Sequence, residues 1–291
     1  MRLALLTCSN LPTWEQDDRF LHQTLTDKGI EWSVIPWDAS EDWSQYDATL
    51  IRTTWDYVNR VDEFESTLFD ISRQTRLLNP IEVVRWNIQK TYLRDLSEQG
   101  VPIAPTTWID DWVDLGEVMH QNRWNRGFLK PIVGASASDT MRFSRQDIAI
   151  AQDWLHRHIQ QGQSFMFQPY IETVETIGEI SLIFFGRVFS HIVQKIPVSG
   201  DYRVQDDYGA RDYVQNIDDY PDLLEISQGV LEIVHAQFDD VLVCRLDFLL
   251  MENGQALVNE VELIEPSLFF RHAPHHAPEI FVQQLRTLIQ S

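Results

Sequence analysis

Cysteine is nearly absent. Cys8 and Cys244 are the only two in 291 residues, and both stand inside apolar, strand-like runs, so a disulfide framework is excluded and a reducing compartment is expected. Positive charge is scarce as well: 23 Lys plus Arg against 44 Asp plus Glu give a net charge of −21, which argues against nucleic acid or an anionic membrane surface as a partner. The apolar core of the N-terminal MRLALLTCSN is too short for a signal peptide or a membrane span, so a soluble, cytoplasmic protein is expected. Neither GxxxxGK[ST] nor GxGxxG occurs, there is no internal repeat, and no Ser-His-Asp or Cys-His arrangement stands out. The histidines His272, His275 and His276 are interrupted by proline, which suits a loop beside a site better than a zinc box.

What is present suffices for two or three packed units, since 44% of the residues are hydrophobic. Strand-like runs at residues 2–7, Glu31–Pro36 and Ala48–Arg52 alternate with helical patterns at Asp17–Lys28 and about Val61–Thr75, the signature of a parallel sheet with helices on its faces. Ligands of such sheets bind where strands end. Arg52, Thr54, Trp55 and Asp56 lie at the carboxyl end of the third strand and are candidates for substrate contact; a helix-start loop capped by a threonine or Asp56 fits them equally well. A helix is predicted over Asn87–Glu98, with Lys90 near its start. Strands at Thr106–Ile109 and Gly127–Lys130 follow, the second opening the small-residue run Pro131–Asp139. Backbone amides and serines of such a run can wrap phosphates, and a plain connection fits it too. Farther on, the pattern predicts a helix over residues 145–161, a strand at Phe165–Ile171, a hairpin turning about Gly186, a polar loop Pro197–Arg211 and amphipathic helices at Asp222–Gln237 and Glu279–Gln290.

One stretch carries most of the chemistry. Val241–Met251 and Ala256–Leu263 are β-rich runs flanking Asn253-Gly254, the dipeptide suited to a two-residue type I′ turn. If Glu252 faces Gln255, Asp247 faces Glu260 and Arg245 faces Glu262, and all four share one side of the hairpin. Three carboxylates around one arginine repel each other unless a cation sits among them, so Mg2+ is the expected ion; a solvated outer sheet face is the alternative.

The order of these pieces resembles the ATP-grasp superfamily, which includes D-alanine ligases and glutathione synthetases, across essentially the whole chain. The resemblance implies an α/β (α+β) chain: an N-terminal parallel α/β domain (1–86), a central lid subdomain (87–170) and a C-terminal subdomain with the metal hairpin (171–291), the last two clasping ATP. By that resemblance Lys90 and Lys130 bind phosphates, and Gly134, Ser136 and Ser138 belong to the loop closing over the γ-phosphate. Gln168, Tyr170 and Ile171 match the hinge that holds adenine, and Glu175 the carboxylate taking the ribose hydroxyls. Asp247, Glu260 and Glu262 match the metal ligands for Mg2+, with Mn2+ as an alternative ion, and Arg245 the arginine beside the transferred phosphoryl group. Glu262 stands where asparagine is usual. The segments RTTWDY and NEVELIEPSLFF, with Lys195 and Arg203, look more like the branch containing the D-cycloserine-forming cyclo-ligase. The implied activity is an ATP- and magnesium-dependent ligation of a small-molecule carboxylate to an amine through an acyl phosphate. Intramolecular cyclisation, or a nucleotide-binding module without turnover, are the alternatives, and a homodimer is compatible with the family.

Overall fold

The computed structural model describes residues 1–10, 17–134, 139–205 and 208–290. In chain order its elements are β1 (Arg2–Thr7), α1 (Arg19–Asp27), β2 (Glu31–Pro36), β3 (Ala48–Thr53), α2 (Val61–Ser72), β4 (Arg76–Leu78), α3 (Ile81–Asn87) and α4 (Tyr92–Glu98). Then come β5 (Thr107–Ile109), α5 (Leu115–Gln121), β6 (Arg126–Pro131), β7 (Met141–Ser144), α6 (Ile148–Gln160) and β8 (Phe165–Pro169). The chain continues through β9 (Glu179–Phe185), β10 (Val188–Ile196), β11 (Arg211–Val214), α7 (Pro221–Gln237), β12 (Val243–Leu250), β13 (Ala256–Glu262) and α8 (Ala277–Gln290).

These strands build three sheets. The first is parallel, in the order β2-β1-β3-β4, and its central strands β1 and β3 are buried almost throughout because helices cover both faces, while the edge strand β2 is largely open. The second, β5-β8-β6-β7, and the third, β11-β10-β9-β12-β13, are antiparallel. On one face of the third sheet, Ile180, Leu182, Phe184, Leu246, Phe248 and Val261 pack with Leu93, Leu96, Val230 and Val234 of α4 and α7. Its other face is divided. Ile183, Phe185 and Val243 join a core with Leu3, Leu5 and the α8 residues Phe281 and Leu285, while the remainder carries charge.

Two local features depart from the expected pattern. The predicted helix over Asn87–Glu98 is broken: α3 ends at Asn87 and α4 begins at Tyr92. The break serves the free edge of β13. Asn87 Nδ2 donates to the Val261 carbonyl (2.8 Å), its Oδ1 accepts from Leu263 N (2.9 Å), and Val261 N donates to the Tyr92 hydroxyl (3.0 Å). An edge strand so covered has no row of unpaired backbone groups to offer, and Lys90 lands in the intervening turn.

The hairpin β12–β13 has a three-residue loop, Glu252–Gly254, closed by Met251 N donating to the Gln255 carbonyl (2.8 Å). Only Gly254 has positive φ, at 83°, so the turn is not type I′. The extra loop residue shifts the register by one, and Phe248 faces Val258 instead of Asn259. A bulge then shifts it back, so that Asp247 pairs with Glu260 and Arg245 with Glu262. The predicted register of the charged patch is present because two one-residue shifts cancel.

Asn79, buried at 1% exposure with φ 53°, joins the first sheet to the third. Its Nδ2 donates to the carbonyls of Val243 (2.8 Å) and Leu263 (2.6 Å), and its Oδ1 accepts from Leu242 N and Val243 N. Replacing Asn79 by Ala strands four buried backbone groups and removes a side chain that tolerates the left-handed region. The expected loss is about 3 kcal/mol or more, read as a lower urea midpoint.

Candidate active site

A cavity of about 560 Å³ opens where the three sheets meet, within the size range of small-molecule and cofactor sites. Lys90, Lys130, Gly134, Gln168, Tyr170, Ile171, Lys195, Arg203, Arg245, Asp247, Glu260 and Glu262 all line it, as do Glu179 and Asn259. Its charged floor is the third sheet. The pleat of four adjacent strands sends these side chains to one face: Lys195 from β10, Glu179 and Ser181 from β9, Arg245 and Asp247 from β12, Glu260 and Glu262 from β13.

Opposite charges alternate across this floor. Lys195 Nζ lies 2.5 Å from Glu179 and 3.3 Å from Asp247. The Arg245 guanidinium bonds Asp247 (Nη2 to Oδ2, 2.9 Å) and Glu262, and Ser181 Oγ donates to Asp247 Oδ1 (2.6 Å). Lys90 Nζ lies 2.7 Å from Glu260 and donates to the Gly134 carbonyl (2.9 Å). The cations among the three expected metal ligands are therefore protein side chains. No group of three His, Cys, Asp or Glu among the described residues is drawn together as for a metal ion; in this arrangement Arg245, Lys195 and Lys90 offset the mutual repulsion of the three carboxylates.

Burial and pairing set the protonation states. Burial favours a neutral Asp247, but Arg245, Lys195 and the Ser181 hydroxyl hold its carboxyl well below the usual range. Glu260 is likewise lowered against its burial by Lys90 and Lys130. Glu262 goes the other way, pushed up to about 7 by burial, against the relief from Arg245 and with Asp247 and Glu260 adding to the rise. Glu179 is also raised by burial, despite Lys195. Lys130 forms no ion pair among the described residues; its Nζ donates to the Asn259 side chain (3.1 Å) and carbonyl (3.3 Å). Burial lowers it to about 8, the state of a cation waiting for an anion.

The remaining walls are apolar or strained. Ala104, Phe128, Ile171, Val174 and Leu249 line the end nearest β8, where Gln168 Nε2 donates to Thr106 Oγ1 (2.8 Å). Arg203 lies against Tyr208, 3.7 Å from the ring centroid, and pairs with Asp201 (2.7 Å). Phe269 adopts φ 49°, a costly conformation for a bulky residue and one concentrated at functional sites. It brings its ring within 6.0 Å of the charged ends of Lys195, Arg245 and Arg271.

Several expected positions lie elsewhere. Of the four candidate substrate residues, only Trp55 lines the cavity. Arg52 is 3% exposed and grips the Asp18 carboxylate (2.6 and 3.0 Å), Thr54 is fully buried, and Asp56 accepts from Trp37 Nε1 (2.8 Å). They turn away because β3 is central in its sheet, so the residues leaving it are packed on both sides. Glu175 is also off the cavity wall; its Oε1 accepts from the Tyr170 hydroxyl (2.6 Å) and Arg142 (2.7 Å). Ser136 and Ser138 lie outside the described residues.

Sequence reasoning missed Glu179 and Asn259. A bulge in β10 between Phe189 and His191 places Lys195 opposite Glu179, and the bulge in β13 turns Asn259 toward Lys130. The one available signal was the polar pair Glu179 and Ser181, two apart in an otherwise apolar strand run.

Replacing Lys195 by Met should leave Glu179 and Asp247 short of a cation and cost about 3 kcal/mol or more at neutral pH. Glu179, raised further above its unfolded value, then binds a proton on folding at low pH. The deficit in urea unfolding should therefore shrink as pH falls and grow as it rises. Adding Glu179→Gln should recover much of it at neutral pH.

Residues 3–79 match the family model described as the N-terminal domain of the D-cycloserine synthetase DcsG. The cycloserine biosynthesis protein DcsG of Streptomyces lavendulae is 32% identical over 252 residues, covering 82% of this chain and 83% of that protein. The crystal structure of D-cycloserine synthetase DcsG superposes with a TM-score of 0.87 at 27% identity, over 99% of this chain and 100% of its own. The Bacillus anthracis D-alanine–D-alanine ligase complexed with ATP shares the fold, with a TM-score of 0.70 at 14% identity over 100% of this chain and 97% of that one. So does the ATP-grasp ligase PsnB complexed with minimal precursor, Mg and ADP, with a TM-score of 0.66 at 11% identity over 99% and 98%. Among the described residues no helix is long and apolar enough to cross a membrane. The chain belongs to the family of the cycloserine biosynthesis protein DcsG and is an ATP-dependent ligase of the ATP-grasp fold.

Proposed function

We propose that this ligase activates the carboxylate of a small molecule with ATP and joins the resulting acyl phosphate to an amine. The observation carrying this reading is the pairing, in one cavity, of a cation-rich wall with a carboxylate-rich floor. Lys90 and Lys130 suit a polyphosphate, and Lys130 is a buried lysine with no described carboxylate within ion-pairing distance. The apolar end at Ala104, Phe128, Ile171 and Leu249 suits adenine, beside the hinge of Gln168, Tyr170 and Ile171. We take residues 1–86 as the substrate-side unit and 87–170 and 171–291 as the pair around ATP.

Asp247, Glu260 and Glu262 offer the hard oxygen ligands that Mg2+ takes, and they would hold it where phosphate oxygens complete its shell. When bound, the ion neutralises charge on the phosphates and orients the γ-phosphoryl group. The chain's own part is positioning and electrostatics. A substrate carboxylate oxygen attacks the γ-phosphorus of ATP, and the bond to the bridging oxygen breaks with release of ADP. The amine nitrogen then attacks the acyl carbon, phosphate leaves with the C–O bond pair, and the nitrogen loses its proton. Arg245, Lys195 and Arg203 stabilise the charge that develops on the acyl phosphate and on the tetrahedral species. No side-chain nucleophile is required.

A second reading, in which carboxylate and nitrogen belong to one molecule and the product is a ring, is supported by the relation to D-cycloserine synthetase. A binding module without turnover is disfavoured, because each charged position that the chemistry needs holds a competent residue.

ADP release from ATP and Mg2+, followed over pools of amino acids, small carboxylates and amines, tests the reading; stimulation by one pool and its loss in EDTA is the expected result. Asp247→Asn and Glu260→Gln should each lower turnover at least about a hundredfold in a folded protein, and full activity in either would remove the metal assignment. Lys130 gives a pH signature. Phosphates favour its charged form, so nucleotide binding above about pH 8 should take up a proton, and affinity should fall by up to about tenfold per pH unit there. Calorimetry in buffers of different ionisation heat reads this, and Lys130→Met should abolish the proton uptake.

A further inference from the structure

Lys130 and Asn259 meet across two of the sheets. Lys130 leaves β6 of the second sheet, is 5% exposed and lines the cavity. Asn259 stands on β13 of the third sheet, where it is the bulged residue: Asp247 faces Glu260, Phe248 faces Val258, and Asn259 has no partner in that register. Bulges re-aim side chains beside sites. This one offers Lys130 Nζ two acceptors on a single residue, Asn259 Oδ1 (3.1 Å) and the Asn259 carbonyl (3.3 Å).

The other end of the same amide is engaged as well. Asn259 Nδ2 donates to Glu179 Oε2 (2.5 Å), while Glu179 Oε1 is held by Lys195. Both oxygens of Glu179 are thus occupied, and Glu260, next along β13, is held by Lys90. The amide cannot be turned round. An ammonium only donates and an ionised carboxylate only accepts, so Oδ1 must face Lys130 and Nδ2 must face Glu179. Asparagine supplies that acceptor and that donor in one planar, uncharged group. Aspartate in its place would lose the donor, set a further negative charge against Glu179 and neutralise Lys130, and leucine would offer neither bond.

We propose that Asn259 is a positioning residue for phosphate binding: it fixes the Lys130 ammonium over the floor and stands between it and Glu179, so that Lys130 meets the ligand with its charge uncommitted. The inference rests on the ligase reading above, in which Lys130 binds phosphate, and adds the residue that aims it. In this role Asn259 acts through Lys130 and not on the ligand. The line of bonds from Lys130 through Asn259 and Glu179 to Lys195 also sets the cations of the second and third sheets in fixed relation.

The test is a double-mutant cycle, read by calorimetric titration of the non-hydrolysable ATP analogue AMP-PNP, with Mg2+, into the full chain. Asn259→Leu should weaken AMP-PNP binding about tenfold in the wild-type background, as for the loss of a hydrogen bond to a charged group. Beside Lys130→Met the same change should cost less than about twofold, because no ammonium is then left to aim. Asn259→Ser keeps an acceptor and should fall between the wild type and Asn259→Leu. If urea titration shows Asn259→Leu to be unfolded, the serine variant completes the cycle, and its loss should again depend on Lys130. Equal losses in the two backgrounds, no loss in the wild-type background, or full affinity in Lys130→Met alone each overturn the inference while leaving the ligase reading standing. Failure of the wild type to bind AMP-PNP overturns the ligase reading itself, and the inference with it.

Discussion

The interaction on which the site depends is the buried bond between Lys195 and its two carboxylates, Glu179 and Asp247. A lysine and two carboxylates removed from water would each be costly alone. Together with Arg245 they compensate one another, and the result is a floor of fixed charges with little room to reorganise. Such preorganisation is what a phosphoryl-transfer and acyl-transfer site requires, because the protein contributes position and field more than covalent chemistry. The apolar half of the same sheet face, packed on α8, keeps the floor from water on one side, and the cavity opens on the other.

Irregularity in the strands makes this floor possible. The bulge in β10 brings Lys195 opposite Glu179, and the bulge in β13 restores the pairing of Asp247 with Glu260 while aiming Asn259 at Lys130. Regular strands with the same loops would turn half of these side chains to the apolar face, since a one-residue slip reverses every side chain. The break between α3 and α4 belongs with them, because it closes the edge of β13 and delivers Lys90 to the cavity in the same few residues.

The first sheet supplies a wall and a clamp. Asn79 ties its end to β12 and to the segment after β13, and the Arg52–Asp18 pair supports the loop carrying Glu265, whose next residue accepts from Arg52. A residue such as Arg52 thus influences the site through a loop and not through a ligand. This reconciles its place at a strand's carboxyl end with its absence from the cavity wall.

The amino-acid sequence by itself determined a great deal. Strand-like runs alternating with helical ones implied a parallel sheet, two hairpins about Gly186 and Asn253-Gly254 implied antiparallel pairs, and the spacing within Val241–Leu263 placed Arg245, Asp247, Glu260 and Glu262 on one face, because a two-residue period is legible without a structure. Lys90, Lys130, Lys195 and Arg203 were legible as charges whose positions resembled a known order. What only the tertiary structure decided was partnership: that protein cations sit among the three carboxylates, that Glu175 is taken by Tyr170 and Arg142, and that Lys130 bonds Asn259. Pairing across sheets joins residues as far apart as Trp55 and Glu265, and bulges and helix breaks shift register by single residues. Neither leaves a periodic signal in the chain, so the sequence specifies them only through the packing of the whole.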